Sequence, residues 1–156
     1  MNMKNTFTKV VCASIFTFIL FLPSTFAGIS TDENNEIAEI TIKAVVSQLK
    51  FDLTEFSVKP GQTGRLTFEN PDYMPHNLLI VSPGTADEIN RLAMSAGFAM
   101  DFVPDSEHVL FASKLLNSQE SEVLEFTAPI VADKYPYVCT FPGHGVLMRG
   151  VMVVAE

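Results

Sequence analysis

Between residues 37 and 154, apolar and polar positions mostly alternate with a period of two, in short runs broken by glycine, proline and asparagine. A chain patterned this way turns one face to a core and the other to water, as half-buried strands do. Ile37 to Val46 reads as one strand and Phe51 to Val58 as a second extended piece, with a turn at Lys59-Pro60-Gly61-Gln62. Arg65-Leu66-Thr67-Phe68-Glu69 alternates cleanly until Asn70-Pro71-Asp72 breaks it. His76 to Val81 is a continuous apolar run after the histidine, suited to a strand covered on both faces. His108 to Leu115 and Glu122 to Phe126 read as strands joined by a turn around Asn117-Ser118. Tyr135 to Thr140 and Arg149 to Val154 form a final pair, linked by the glycine-rich stretch from Phe141 to Met148.

One segment changes period. Ile89, Leu92, Ala93 and Ala96 recur at helical spacing, and the run ends near Gly97. Thr85-Ala86-Asp87-Glu88 in front of it has the form of a capping box, with Thr85 as N-cap and Glu88 reaching back. The pattern predicts an all-β fold, a Greek-key β-sandwich or barrel, with one short inserted helix around 85–97. Internal repeats and low-complexity tracts are lacking, as is a linker long enough to announce a second domain.

The first 27 residues read differently. Lys4 and Lys9 precede an uncharged run from Val10 to Leu22, and small residues stand at Thr25 and Ala27. A run of about a dozen apolar residues fits a secretory leader and is short of the ~20 needed to span a bilayer. Residues 1–27 are therefore expected to be a signal peptide and 28–156 a single exported domain, periplasmic or secreted. Cys12 lies within the apolar run, the wrong place for a lipid-bearing cysteine. Without the two leader lysines, 18 acidic side chains face 8 basic ones, a net charge of −10. Such a surface disfavours nucleic acid and anionic membranes and speeds encounter with a basic partner.

A single cysteine, Cys139, then remains in a compartment where disulfides are the norm. Its neighbours indicate its use. Cys139-Thr140-Phe141-Pro142-Gly143-His144-Gly145-Val146-Leu147-Met148 holds a thiol, an imidazole and a thioether within ten residues, between two expected strands. A second imidazole, His76, sits at the start of the apolar strand, and a sandwich can bring that strand end beside Cys139. Thiolate and thioether donors suit soft Cu(I), whereas imidazole also suits Cu(II). Two imidazoles, a thiolate and a weak thioether lie between those preferences, so little need move when an electron arrives or leaves. Zinc is a poorer match: no CxxC pair is present for a structural site, and methionine would fill the position that a catalytic site leaves to water. A Cys–His nucleophile would require an oxyanion site and an orienting third group, and neither is evident. Met94, Met100 and Met152 read as core or surface fillers.

The run Cys-Thr-Phe-Pro-Gly-His-x-x-x-Met-x-Gly, Cys139 to Gly150, resembles the copper loop of azurins and auracyanins, and Pro75-His76-Asn77 resembles the upstream ligand segment of cupredoxins generally. The helix after that strand also resembles the inserted helix of azurin-like members. The likeness extends loosely from Lys50 to the C-terminus, making about 50–156 the copper-binding core. It implies an eight-stranded Greek-key sandwich carrying one type 1 copper. His76, Cys139 and His144 would be the strong ligands and Met148 the weak axial one. Asn77, Thr140 and Pro75 would support them, Asn77 by bonding backbone near Cys139. Azurins have glycine where Pro75 stands, which leaves their fifth contact open here. They also carry a disulfide that a chain with one cysteine cannot form, so the closer likeness is to auracyanins.

The function expected from residues and resemblance together is electron transfer rather than catalysis on a small substrate. The protein redox partner, a cytochrome or a dehydrogenase, would dock on an apolar collar of Met74, Pro75, Phe141, Pro142, Val146 and Leu147 around His144. The rival expectations are a periplasmic copper carrier or storage protein, and an accessory domain docked onto a larger redox enzyme.

Overall fold

The computed structural model describes residues 36–156. The expected leader, with Cys12, lies outside the described residues. Eight strands and one α-helix follow in chain order: β1 (Ala38–Lys43), β2 (Glu55–Val58), β3 (Thr63–Asn70), β4 (Leu79–Val81), α1 (Ala86–Ala96), β5 (Val109–Ala112), β6 (Glu120–Thr127), β7 (Asp133–Val138) and β8 (Arg149–Val154). A 3₁₀ turn at Phe98–Met100 follows the helix. The strands form a three-stranded sheet, β1-β3-β6, and a five-stranded sheet, β2-β8-β7-β4-β5. Within them β1–β3 and β2–β8 are parallel, and the remaining pairs are antiparallel.

Alternation explains how the sheets face one another. Ile40, Ile42, Leu66, Phe68 and Phe126 of the smaller sheet and Phe56, Val58, Tyr135, Tyr137, Met152 and Val154 of the larger one bury into one shared core. Each large side chain taken fully out of water contributes about 1.5–3 kcal/mol before its lost entropy is counted. Phe51, Phe68 and Tyr137 interlock there, with ring centroids 5.9 and 5.4 Å apart, and the Tyr137 hydroxyl donates to the Leu53 carbonyl at 2.7 Å. At Gly150 a Cβ would fall on the hydroxyl end of the Tyr137 side chain, so glycine is what lets that side chain cross the start of β8.

All three residues of β4 are buried, because α1 covers the sheet's outer face. Leu79, Val81 and Val138 pack there against Ala86 and Ile89 of the helix, while Ile80 faces the main core. The helix occupies the expected place and ends at Gly97, whose φ of 66° suits glycine. Its start differs from the capping-box expectation. Thr85 is the N-cap residue but makes no side-chain cap, because its hydroxyl donates backwards to the Ser82 carbonyl at 2.8 Å.

The strand expected from His76 to Val81 begins only at Leu79. His76 keeps a single bridge to Leu116, and the backbone of Leu78 bonds the Ser113 side chain, so the ladder is interrupted where the chain turns its polar side chains inward. The strands on either side of Asn117-Ser118 are also shorter or longer than expected and belong to different sheets. The turn there carries the chain from one layer to the other. Among the described residues no helix is long and apolar enough to cross a membrane.

Candidate metal centre

The segment before β4 and the loop between β7 and β8 meet at one end of the sandwich. Antiparallel pairing of β7 with β8 closes on the loop, and the Cys139 N–H donates to the Met148 carbonyl at 3.0 Å, fixing the two ends opposite each other. Between them the chain folds into a tight turn. The His144 N–H donates to the Phe141 carbonyl at 3.0 Å, and the Leu147 and Met148 N–H groups both donate to the His144 carbonyl. Gly143 at φ 84° allows that turn.

His76, Cys139 and His144 converge there, all three buried. The two Nδ1 atoms are 3.2 Å apart, and Cys139 Sγ is 3.7 Å from each. A point equidistant from the three atoms lies about 2 Å from each, a spacing at which imidazole nitrogen and thiolate sulfur bind a transition metal. Met148 is also fully buried and shares the core cluster of Cys139. The donor set fits a copper ion, pairing soft sulfur with borderline nitrogen.

Burial shapes the protonation of the donors. It pushes the Cys139 thiol up to about 11, only partly offset by the Asn77 and Phe141 backbone contacts that favour the thiolate. For His144, burial and the neighbouring His76 lower the pKa, which keeps the imidazole neutral with a lone pair to offer. A metal held here would have to take the place of the Cys139 thiol proton, so binding would release a proton.

Asn77 ties the two segments together. Its Oδ1 accepts from the Thr140 N–H at 2.7 Å, and its Nδ2 donates to Thr140 Oγ1 at 2.8 Å and to the Asp101 carbonyl at 2.7 Å. Thr140 Oγ1 donates in turn to the Phe102 carbonyl at 2.7 Å. Pro75 is half-buried beside His76.

Three sets of contacts were not anticipated from the sequence. Asp101 and Phe102 both adopt left-handed backbone, φ 54° and 56°, and that turn aims their carbonyls at Asn77 and Thr140. Asn90 on α1 donates to the Gly145 carbonyl at 2.9 Å, and Arg149 also donates to that carbonyl while pairing with Asp87 at 2.6 Å. A Cβ at Gly145 would fall on the Asn90 amide, so glycine is what lets helix and loop touch. The third is Asp72, buried with its Oδ2 3.0 Å from His76 Nε2 and its Oδ1 accepting from the Ser47 N–H at 2.9 Å. Burial alone would raise this carboxyl. The bonds from Ser47, His76 and Tyr73 outweigh it and hold the group below the ordinary carboxylate value. An acid four residues before His76 was the available signal, though such spacing is common in surface turns.

Around the site the surface is apolar. Tyr73, Met74, Phe98, Met100, Val146 and Leu147 are exposed, and the Phe141 ring lies 4.9 Å from that of His144 and 5.6 Å from that of Phe102.

The model of a family described as copper binding proteins, plastocyanin/azurin family, matches residues 38–155. Auracyanin-A of Chloroflexus aurantiacus is 39% identical over 119 residues, covering 74% of this chain and 73% of that protein. Azurin-2 of Alcaligenes xylosoxydans xylosoxydans is 25% identical over 126 residues, covering 79% and 94%. A crystal structure of dithionite-reduced auracyanin from the photosynthetic bacterium Roseiflexus castenholzii superposes with a TM-score of 0.71 at 36% identity, covering 76% of this chain and 98% of that one.

Proposed function

The chain belongs to the plastocyanin/azurin family of copper-binding proteins, and from that premise we propose that it carries single electrons between protein partners, using one copper held by His76, Cys139, His144 and, more weakly, Met148. The observation that carries this reading is the buried triangle of two Nδ1 atoms and one Sγ. A copper ion bound there supplies a one-electron couple between Cu(II) and Cu(I). The protein's part is to hold the donors still. Asn77, Thr140 and the β7–β8 loop fix the positions of Cys139 and His144, so little of the donor frame has to rearrange on electron transfer. Met148 has no proton to lose and no charge, and as a fourth donor it would leave no open position for a substrate. That supports a carrier rather than a catalyst.

His144 keeps slight exposure whereas His76 has none, which favours His144 as the route by which electrons leave. The collar of Met74, Pro75, Phe141, Pro142, Val146 and Leu147 would seat the partner, a cytochrome or a dehydrogenase. The acidic balance of the chain would attract a basic rim around the partner's docking face. We place residues 1–27 as a cleaved leader and 28–156 as the working domain, in the periplasm or outside the cell. The uncharged run after Lys4 and Lys9 supports this. Copper loading of a His144→Gly variant tests the route. Its electron exchange should be slow until imidazole is added, and parent rates without imidazole would contradict the assignment.

A further inference from the structure

Residues 70–76 form a turn braced by hydrogen bonds within it and to neighbouring segments. The Asp72 N–H donates to Asn70 Oδ1 at 3.1 Å, and Asn70 Nδ2 donates to the Met74 and Leu116 carbonyls at 2.8 and 2.9 Å. The His76 N–H also donates to the Leu116 carbonyl, at 3.1 Å. Asp72 is the charged member of this set and is 4% exposed. A buried carboxylate is costly unless its oxygens find donors. Here Oδ1 has the Ser47 N–H, from a loop 25 residues away, and Oδ2 has the His76 ring.

An ionised carboxylate can only accept hydrogen bonds. Nε2 of His76 must therefore carry a proton, and in the neutral ring this leaves the Nδ1 lone pair facing Cys139 and His144. We propose that Asp72 is a positioning residue that sets the His76 tautomer before metal arrives and, through its buried negative charge, favours Cu(II) over Cu(I) at the centre. This rests on the copper reading given above. The choice of a carboxylate is specific. Asparagine at 72 would offer one acceptor and one donor, and both of its neighbours need an acceptor. Either the Ser47 N–H loses its partner, or the amide NH₂ faces Nε2 and drives the His76 proton onto Nδ1, where the metal must displace it. Partners of this kind are worth 10- to 100-fold in metal affinity.

The test has two parts. In the metal-free parent, long-range ¹⁵N–¹H correlation spectra should show His76 as the Nε2–H tautomer; an Nδ1–H ring would overturn the proposal. This needs no copper, so its failure is distinct from failure of the electron-carrier reading, which would show as a parent that binds no Cu(II). In Asp72→Asn, checked for a parent-like amide spectrum, Cu(II) affinity by chelator competition should fall 10- to 100-fold. Cu(I) affinity should fall less. The reduction potential would then rise by 59 mV for each tenfold difference between the two losses. A merely structural role would lower stability and leave the potential at the parent value, and that result would overturn the charge assignment.

Discussion

The two segments that meet at the site are held in different ways. Asp72 to Asn77 is buried in the frame of its own turn and its neighbours: Asn70 braces Asp72 and Met74, Ser47 reaches Asp72 from another loop, and His76 bridges Leu116. Cys139 to Met148 is a loop that folds on its own backbone and is clasped from outside. Asn90 and Arg149 grip Gly145, and the Asp101-Phe102 turn reaches Asn77 and Thr140. His76 thus sits on a buried frame, whereas His144 sits on a surface loop made rigid by a helix inserted elsewhere in the chain. On the proposed reading, this design would keep His76 inaccessible and offer His144 to a partner, without leaving either loose. Only Asn77 belongs to both arrangements.

The largest effect should come from removing the atom the two segments share as a target. Cys139→Ser should abolish the intense visible absorption of the copper form while leaving the amide fingerprint of the fold unchanged; survival of the colour would remove the thiolate from the account. Next comes the residue that joins the segments. Asn77→Ala leaves the buried Thr140 N–H without its acceptor, a cost of about 1–3 kcal/mol, and should lower copper affinity 10- to 100-fold. Denaturant unfolding and chelator competition measure the two losses, and a variant with parent values in both would show that the segments hold together without it. The smallest effect sharpens the contrast. Asn90→Ala removes one grip on Gly145, costing about 1 kcal/mol. It should speed amide exchange across residues 143–147 and leave the Asp72–Asn77 turn protected. Equal loosening of both would mean that they are one unit.

The site and its supports differ in how far they could be read from the sequence. Cys139, His144 and Met148 fall within ten residues between strands whose alternation is plain, and His76 heads a run too apolar to need a histidine for packing. Donor chemistry at short spacing is therefore visible in one dimension. The supports are not, because they act through backbone carbonyls. Gly145, Asp101, Phe102 and Leu116 contribute oxygens that every residue has, and only the turn geometry aims them. Asp72 illustrates the same limit, since its significance depends on Ser47 arriving from another loop. In the fold, the period-two pattern located the strands and the helical spacing located α1. Strand ends and sheet membership depended on tertiary contacts. His76 to Leu78 turn from ladder to site, and the chain between β5 and β6 crosses between layers where a local reading shows only a turn. Thr85 likewise spends its hydroxyl on Ser82 rather than on the helix it starts.

As proposed, this buried triangle of two imidazoles and a thiol holds one copper that cycles between two oxidation states. The most direct test is the visible absorption spectrum of the purified protein as one equivalent of Cu(II) is added, followed by a mild reductant and then an oxidant. An intense blue or green thiolate-to-copper band should appear, saturate at one ion per chain, bleach on reduction and return on oxidation. A colourless complex, or a band that does not return, would overturn the copper electron-carrier reading.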